Sequence, residues 1–122
     1  MITLDHINIS APMELLDSVK DFYCFIFDMQ TEYRPSINKK GYWLYADDKA
    51  LIHLSESDQH CKNEKPVHLD HIAFKLHNIN TVASRLELLK IPYTSQKISD
   101  IQLNQLFFHD PSGTRIEINS SN

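Results

Sequence analysis

Four side chains, His6, His53, His71 and Glu117, are of the types that hold a divalent metal ion. Imidazole and carboxylate together suit Zn, Ni, Fe, Co or Mn. The set contains no thiolate, which points away from a closed structural zinc site. One such ion, with a position left open, is the expected cofactor. The four residues lie far apart along 122 residues, so only a fold that superposes distant segments can bring them together.

The chain supplies a reason to expect such superposition. Leu4-Asp5-His6-Ile7 reappears 65 residues later as Leu69-Asp70-His71-Ile72. Further on, at an offset of 64, residues 42–45 fall on 106–109 and residues 50–54 on 114–118, which pairs His53 with Glu117. A unit of this length found twice is an internal duplication; a solenoid needs three or more. We therefore expect one domain made of two repeats. Residues 1–57 form the first module, 58–67 a polar linker containing Pro66, and 68–122 the second module.

Each repeat reads as strand, helix, strand, strand, strand. Residues 2–10 alternate apolar and polar, as a half-buried strand does. Ser10 is placed to cap the following helix, and Pro12 suits its first turn. Leu15, Val19, Phe22 and Ile26 then recur at helical spacing, with Leu16 and Tyr23 widening the stripe. A short strand over 31–34 and a hairpin of 42–46 with 50–55 complete the repeat. In the second repeat the strand is 69–76. Asn78 caps a helix with the stripe Ile79, Val82, Leu86 and Leu89. Residues 93–96 form a weak strand, and 105–109 pairs with 114–119 across Asp110-Pro111-Ser112-Gly113, a type I turn sequence.

Alternation assigns the faces. Ile7 and Ile9, Ile52 and Leu54, Ile72 and Phe74, and Ile116 and Ile118 form apolar sets that can pack on the helices. His6, His53, His71 and Glu117 then share the opposite face with Asn8, Arg115 and Asn119. The last three are candidates to orient a substrate, and Glu117 is the candidate ligand that also serves as a catalytic base. The expected class is α+β: two βαβββ modules forming a cupped mixed sheet with helices on its convex side. His60, His68, His77 and His109 lack the symmetry support and read as surface or supporting residues. Trp43, Phe107 and Phe108 read as core or pocket wall.

Composition narrows the partners. A net charge of -4 with twelve scattered Lys and Arg argues against nucleic acid or an anionic membrane surface. No apolar run is long enough to span a membrane, and residues 1–5 do not open like a signal peptide. Cys24 and Cys61 fit free thiols in a reducing cytoplasm. Gly41 and Gly113 are the only glycines, which excludes a Gly-rich phosphate loop and leaves both helices without the usual glycine stop.

The paired Leu-Asp-His-Ile openings, Asp21-Phe22-Tyr23 on the first helix, and Asp110-Pro111-Ser112-Gly113 leading into Arg115-Ile116-Glu117 resemble the vicinal oxygen chelate superfamily. That group includes glyoxalase I, extradiol dioxygenases, fosfomycin-modifying thiol transferases and bleomycin-resistance proteins. The resemblance covers nearly the whole chain and implies ligands at His6, His53, His71 and Glu117. Similar proteins often have Leu-Gly after the first helix, where this chain has Phe27-Asp28. Bacterial-type glyoxalase I carries Glu at the place of His53, whereas His6, His71 and Glu117 match the two imidazoles and one carboxylate of the fosfomycin enzymes and dioxygenases. The resemblance implies a metal-dependent isomerase, lyase, dioxygenase or thiol transferase acting on a small molecule with vicinal oxygens, and a homodimer. The rival from another class is a bleomycin-resistance-like protein that binds a small molecule without chemistry.

Overall fold

The computed structural model describes residues 3–59 and 69–121. The chain divides into two compact units, Met1–Glu64 and Lys65–Asn122, each with its own sheet, helix and core. In the first, β1 (Ile7–Ala11) leads into α1 (Met13–Phe27), then β2 (Gln30–Thr31), β3 (Gly41–Ala46) and β4 (Lys49–Glu56). In the second, β5 (Ile72–Lys75) leads into α2 (Ile79–Leu88), then β6 (Thr94–Ile98), β7 (Leu103–His109) and β8 (Arg115–Ser120). The sheet orders are β1-β4-β3-β2 and β5-β8-β7-β6, so the topology repeats. In both, the first strand runs parallel to the last, and the remaining pairs are antiparallel. The α+β class and the two βαβββ modules expected from the duplication are present as two mixed sheets.

The apolar faces pack as alternation requires. Leu16, Val19, Phe22, Tyr23 and Ile26 of α1 are buried together with Leu44, Ile52 and Leu54 of its sheet. Val82 and Leu86 of α2 are buried with Leu106, Phe108, Ile116 and Ile118. Each fully buried side chain of this size contributes about 1.5–3 kcal/mol. The first core is larger because α1 has 15 residues against ten in α2. Leu89, expected in the α2 stripe, instead follows the helix and is 45% exposed.

Several boundaries differ from the sequence expectation. Residues 3–6 and 69–71 are not strand, so His6 and His71 stand just ahead of β1 and β5. Alternation runs on through these segments, but among the described residues no strand pairs with them, and Leu4 and Leu69 are exposed. Ser10 does not cap α1. Pro12 is the cap residue, and the Ser10 hydroxyl donates to Asn8 Oδ1 instead. β2 is two residues long, at Gln30–Thr31, and β6 starts at Thr94. A 3-10 turn, Ser99–Ile101, precedes β7 and had no sequence signal. Ser55 and Glu56 belong to β4, and the expected linker from residue 60 onward, with His60, Cys61 and His68, lies outside the described residues.

Other local expectations are met. Asn78 accepts from the backbone N–H of Asn80 as an N-cap. Asp110 accepts the Gly113 N–H through its carbonyl and the Ser112 and Thr114 N–H groups through Oδ1, closing the turn. Without glycine stops, α1 ends on Asp28 at φ 56. Beyond α2, Lys90 at φ 57 closes a pair of bonds, Ile91 N–H to Leu86 carbonyl and Lys90 N–H to Glu87 carbonyl.

Candidate metal half-sites

In the first module, register places Asn8, His53 and Trp43 side by side on one face of the sheet, opposite the helix. His53 lies between two rings. Trp43 stacks on one face at 4.1 Å and His6 on the other at 3.8 Å, with planes 14° and 8° apart. Asp5 Oδ2 accepts from His6 Nδ1 at 2.6 Å. A carboxylate can only accept, so Nδ1 carries the proton and Nε2 keeps its lone pair. His53 is fixed the other way. Its Nε2 donates to the Ala50 carbonyl at 3.1 Å, which leaves the lone pair on Nδ1. Burial, reinforced by the neighbouring His6, pushes the His53 pKa down, favouring the neutral ring.

This geometry separates the two imidazoles chemically. A ring nitrogen binds a metal in the plane of its ring. Two nearly parallel planes one stacking distance apart do not meet near either nitrogen. As placed, His6 and His53 do not converge on one ion.

The second module carries a different arrangement. His71 Nδ1 donates to Asp70 Oδ2 at 2.8 Å, which repeats the Asp5–His6 pair and again leaves Nε2 as the ligand atom. Arg115 Nη1 also donates to Asp70 Oδ2, at 2.7 Å, and its guanidinium lies 4.8 Å over the Phe107 ring. The hydrogen bond from His71, with Arg115 beside it, holds the Asp70 carboxyl below its usual range. In the first module, the His6 bond has the same effect on Asp5.

His71 Nε2 faces Glu117 Oε1 at 3.6 Å. That is too long for a hydrogen bond. Two donors each about 2.1 Å from one ion at a tetrahedral angle are roughly 3.4 Å apart. The pair is therefore spaced as donors sharing an ion are spaced. Glu117 Oε2 is already engaged, accepting from Asn119 Nδ2 at 2.9 Å.

Of the residues singled out by sequence, His6 and His53 meet in the first module, and His71, Glu117, Asn119 and Arg115 meet in the second. Asn8 lies in the first module, where its Oδ1 accepts from Ser10 and Ser55. His77 and His109 are exposed, as expected of surface residues. Among the described residues, no three His, Cys, Asp or Glu side chains lie close enough together to hold a metal. Asp5 and Asp70 were not singled out as functional, although each precedes its histidine in the repeated motif and could have been found there.

A family model described as the Glyoxalase/Bleomycin resistance protein/Dioxygenase superfamily matches residues 3–118. The chain belongs to this superfamily. Glyoxylase I 4 of Arabidopsis thaliana is 30% identical over 125 residues, covering 97% of this chain and 70% of that protein. Among solved structures, a glyoxylase/bleomycin resistance protein/dioxygenase domain from Frankia sp. EAN1pec superposes with a TM-score of 0.81 at 18% identity, covering 100% of this chain and 93% of that one. A glyoxalase family protein from Bacillus anthracis superposes with 0.77 at 21% identity, over 100% and 97% of the two chains. A point mutant of the fosfomycin resistance protein FosX of Listeria monocytogenes, complexed with Mn(II) and 1S,2S-dihydroxypropylphosphonic acid, gives 0.76 at 18% identity, over 100% and 95%. The structural matches are likenesses of fold. Superfamily membership rests on the family model and the plant relative.

Proposed function

We propose that this superfamily member is a metal-dependent enzyme acting on a small molecule with two neighbouring oxygens. His6, His71 and Glu117 are the ligands of one divalent ion among Zn, Ni, Fe, Co and Mn. The observation that carries this reading is the His71–Glu117 pair. Its donors are spaced for a shared ion, and Asp70 turns the lone pair of His71 toward the carboxylate. The related FosX fold holds Mn(II) with a ligand bearing two adjacent hydroxyl groups, which supports the substrate class.

When bound, the ion supplies Lewis acidity toward the substrate oxygens. The chain's own residues do the rest. Glu117 is the ligand that also serves as base, while its Oε2 accepts from Asn119. Asp5 and Asp70 set the tautomers of His6 and His71. Asn8 and the Arg115 N–H groups beyond Asp70 orient the substrate. His53, fixed between Trp43 and His6, supports His6 and is not a fourth ligand.

The protein is expected to work as a cytoplasmic homodimer, which light scattering checks; no helix of the described residues is long and apolar enough to cross a membrane. The deciding experiment is metal content by mass spectrometry after identical dialysis, for wild type, His6→Ala, His71→Ala and His53→Ala, followed by a panel of vicinal diols, hydroxyketones, catechols and epoxides. His6→Ala and His71→Ala should lose metal and His53→Ala should lose less. A wild type that takes up no metal overturns the reading and leaves a small-molecule binding protein in its place.

A further inference from the structure

On the second sheet a row of amides crosses three strands. Register sets Gln96 of β6 opposite Gln105 of β7, and Gln105 opposite Asn119 of β8. Gln96 Nε2 donates to Gln105 Oε1 at 3.0 Å, and Gln105 Nε2 donates to Asn119 Oδ1 at 3.0 Å. Asn119 Nδ2 then donates to Glu117 Oε2 at 2.9 Å. The direction of the row follows from its last member. A carboxylate offers no hydrogen, so Asn119 must present its NH2 to Glu117 and its oxygen to Gln105. Gln105 must then present its NH2 to Asn119 and its oxygen to Gln96. Reversing any one amide would set like groups face to face. Gln105 is only 8% exposed, so an unmade bond there has little water to replace it.

We propose that Gln96, Gln105 and Asn119 are positioning residues that occupy Glu117 Oε2 and thereby hold Oε1 toward His71. The inference rests on the reading of Glu117 as a metal ligand and adds how that carboxylate is aimed. A side chain ending in a freely turning carboxylate would sample orientations in which neither oxygen faces Nε2. Tying one oxygen to an amide that is itself tied on its far side removes that freedom before any ion arrives. Asn119, expected from sequence to orient a substrate, acts here on the ligand instead.

The test uses the full chain with Co(II) as the probe, reading affinity by chelator competition and the visible Co(II) spectrum. Asn119→Leu should weaken Co(II) by about tenfold and shift the spectrum, as loss of a group supporting a ligand does. Gln105→Met, which keeps length and removes both bonds, should weaken Co(II) by a smaller factor while the thermal midpoint of the metal-free protein changes little. The double variant should bind Co(II) no more weakly than Asn119→Leu alone, because Gln105 acts only through Asn119. Wild-type affinity in Asn119→Leu and Gln105→Met, or factors that multiply in the double variant, would overturn the relay. If Asn119→Leu does not fold, Gln105→Met alone decides: weaker binding with an altered spectrum supports the relay, and wild-type binding overturns it. A wild type that binds no Co(II), or a Glu117→Gln variant that binds it as well as wild type does, overturns the metal reading beneath the relay and is recognised separately.

Discussion

His53 and Glu117 occupy the same place in two copies of one hairpin, yet their neighbours treat them differently. His53 is clamped between the faces of Trp43 and His6. Glu117 has one oxygen tied to Asn119 and the other turned toward His71. The backbones match strand for strand and the opening Asp–His pair is the same, so the difference lies in the side chains around each position. Gln105 and Asn119 fall on Gly41 and Ser55 in the first module. Ser55 donates to Asn8 Oδ1. Arg115, which braces Asp70, falls on Leu51, and the first module anchors its opening segment through Lys49 Nζ donating to the Leu4 carbonyl. The repeat sets the places; the side chains around them make one copy an aromatic stack and the other a His–Glu pair with its carboxylate tied to an amide.

The comparison can be broken most severely in the cores, where the copies should behave alike. Ile52 and Ile116 are matched and both fully buried. Replacing either with Ala should cost about 2–5 kcal/mol in urea unfolding. A loss at one position only would show that the modules are not equivalent scaffolds. At the site the copies should part. Glu117→Gln should lower Co(II) affinity by more than about 100-fold and abolish turnover, whereas His53→Gln should cost less than about tenfold. Equal losses would make His53 a ligand and erase the distinction.

Much of this is legible in the sequence. Period-two alternation placed Ile52, Leu54, Ile116 and Ile118 in the cores and His53 and Glu117 on the other faces. Those assignments depend only on side-chain direction within a strand. What failed depended on partners. Residues 3–6 alternate like a strand, but a strand exists only where a neighbour takes its hydrogen bonds. Ser10 has the right type and position for a cap, but Asn8 and Ser55 on the same sheet face compete for its hydroxyl. The amide row was invisible because Gln and Asn carry no periodic signal. Only the hairpin register, joined to alternation, brings Gln96, Gln105, Asn119 and Glu117 onto one face.

Gly41 offers a sharper test of the same contrast. A Cβ built there would lie 1.9 Å from the Leu54 carbonyl oxygen, so β3 passes closer to β4 than any side chain allows. Gly41→Ala should therefore force a backbone shift and destabilise by about 1–3 kcal/mol in urea unfolding. Unchanged stability would mean the strands separate freely. The smallest effect is optical. Trp43 is the only tryptophan and lies against His53. Burial holds the His53 pKa below 6.5, so the unfolded chain takes up protons first as pH falls from that value. The folded state loses stability between 6.5 and the lowered value, and none of this penalty applies above 6.5. Emission from Trp43 should change with a midpoint below 6.5 in the wild type and lose that step in His53→Gln.

The close approach at Gly41 also bears on how the two copies diverge. A glutamine there, the residue that the second copy uses to pass a hydrogen bond across the sheet, has no room for its first carbon. The first copy cannot acquire such a row by exchanging one side chain; it would first have to move a strand. The close approach of β3 to β4 at Gly41 thus keeps the site histidine of the first module without such a row.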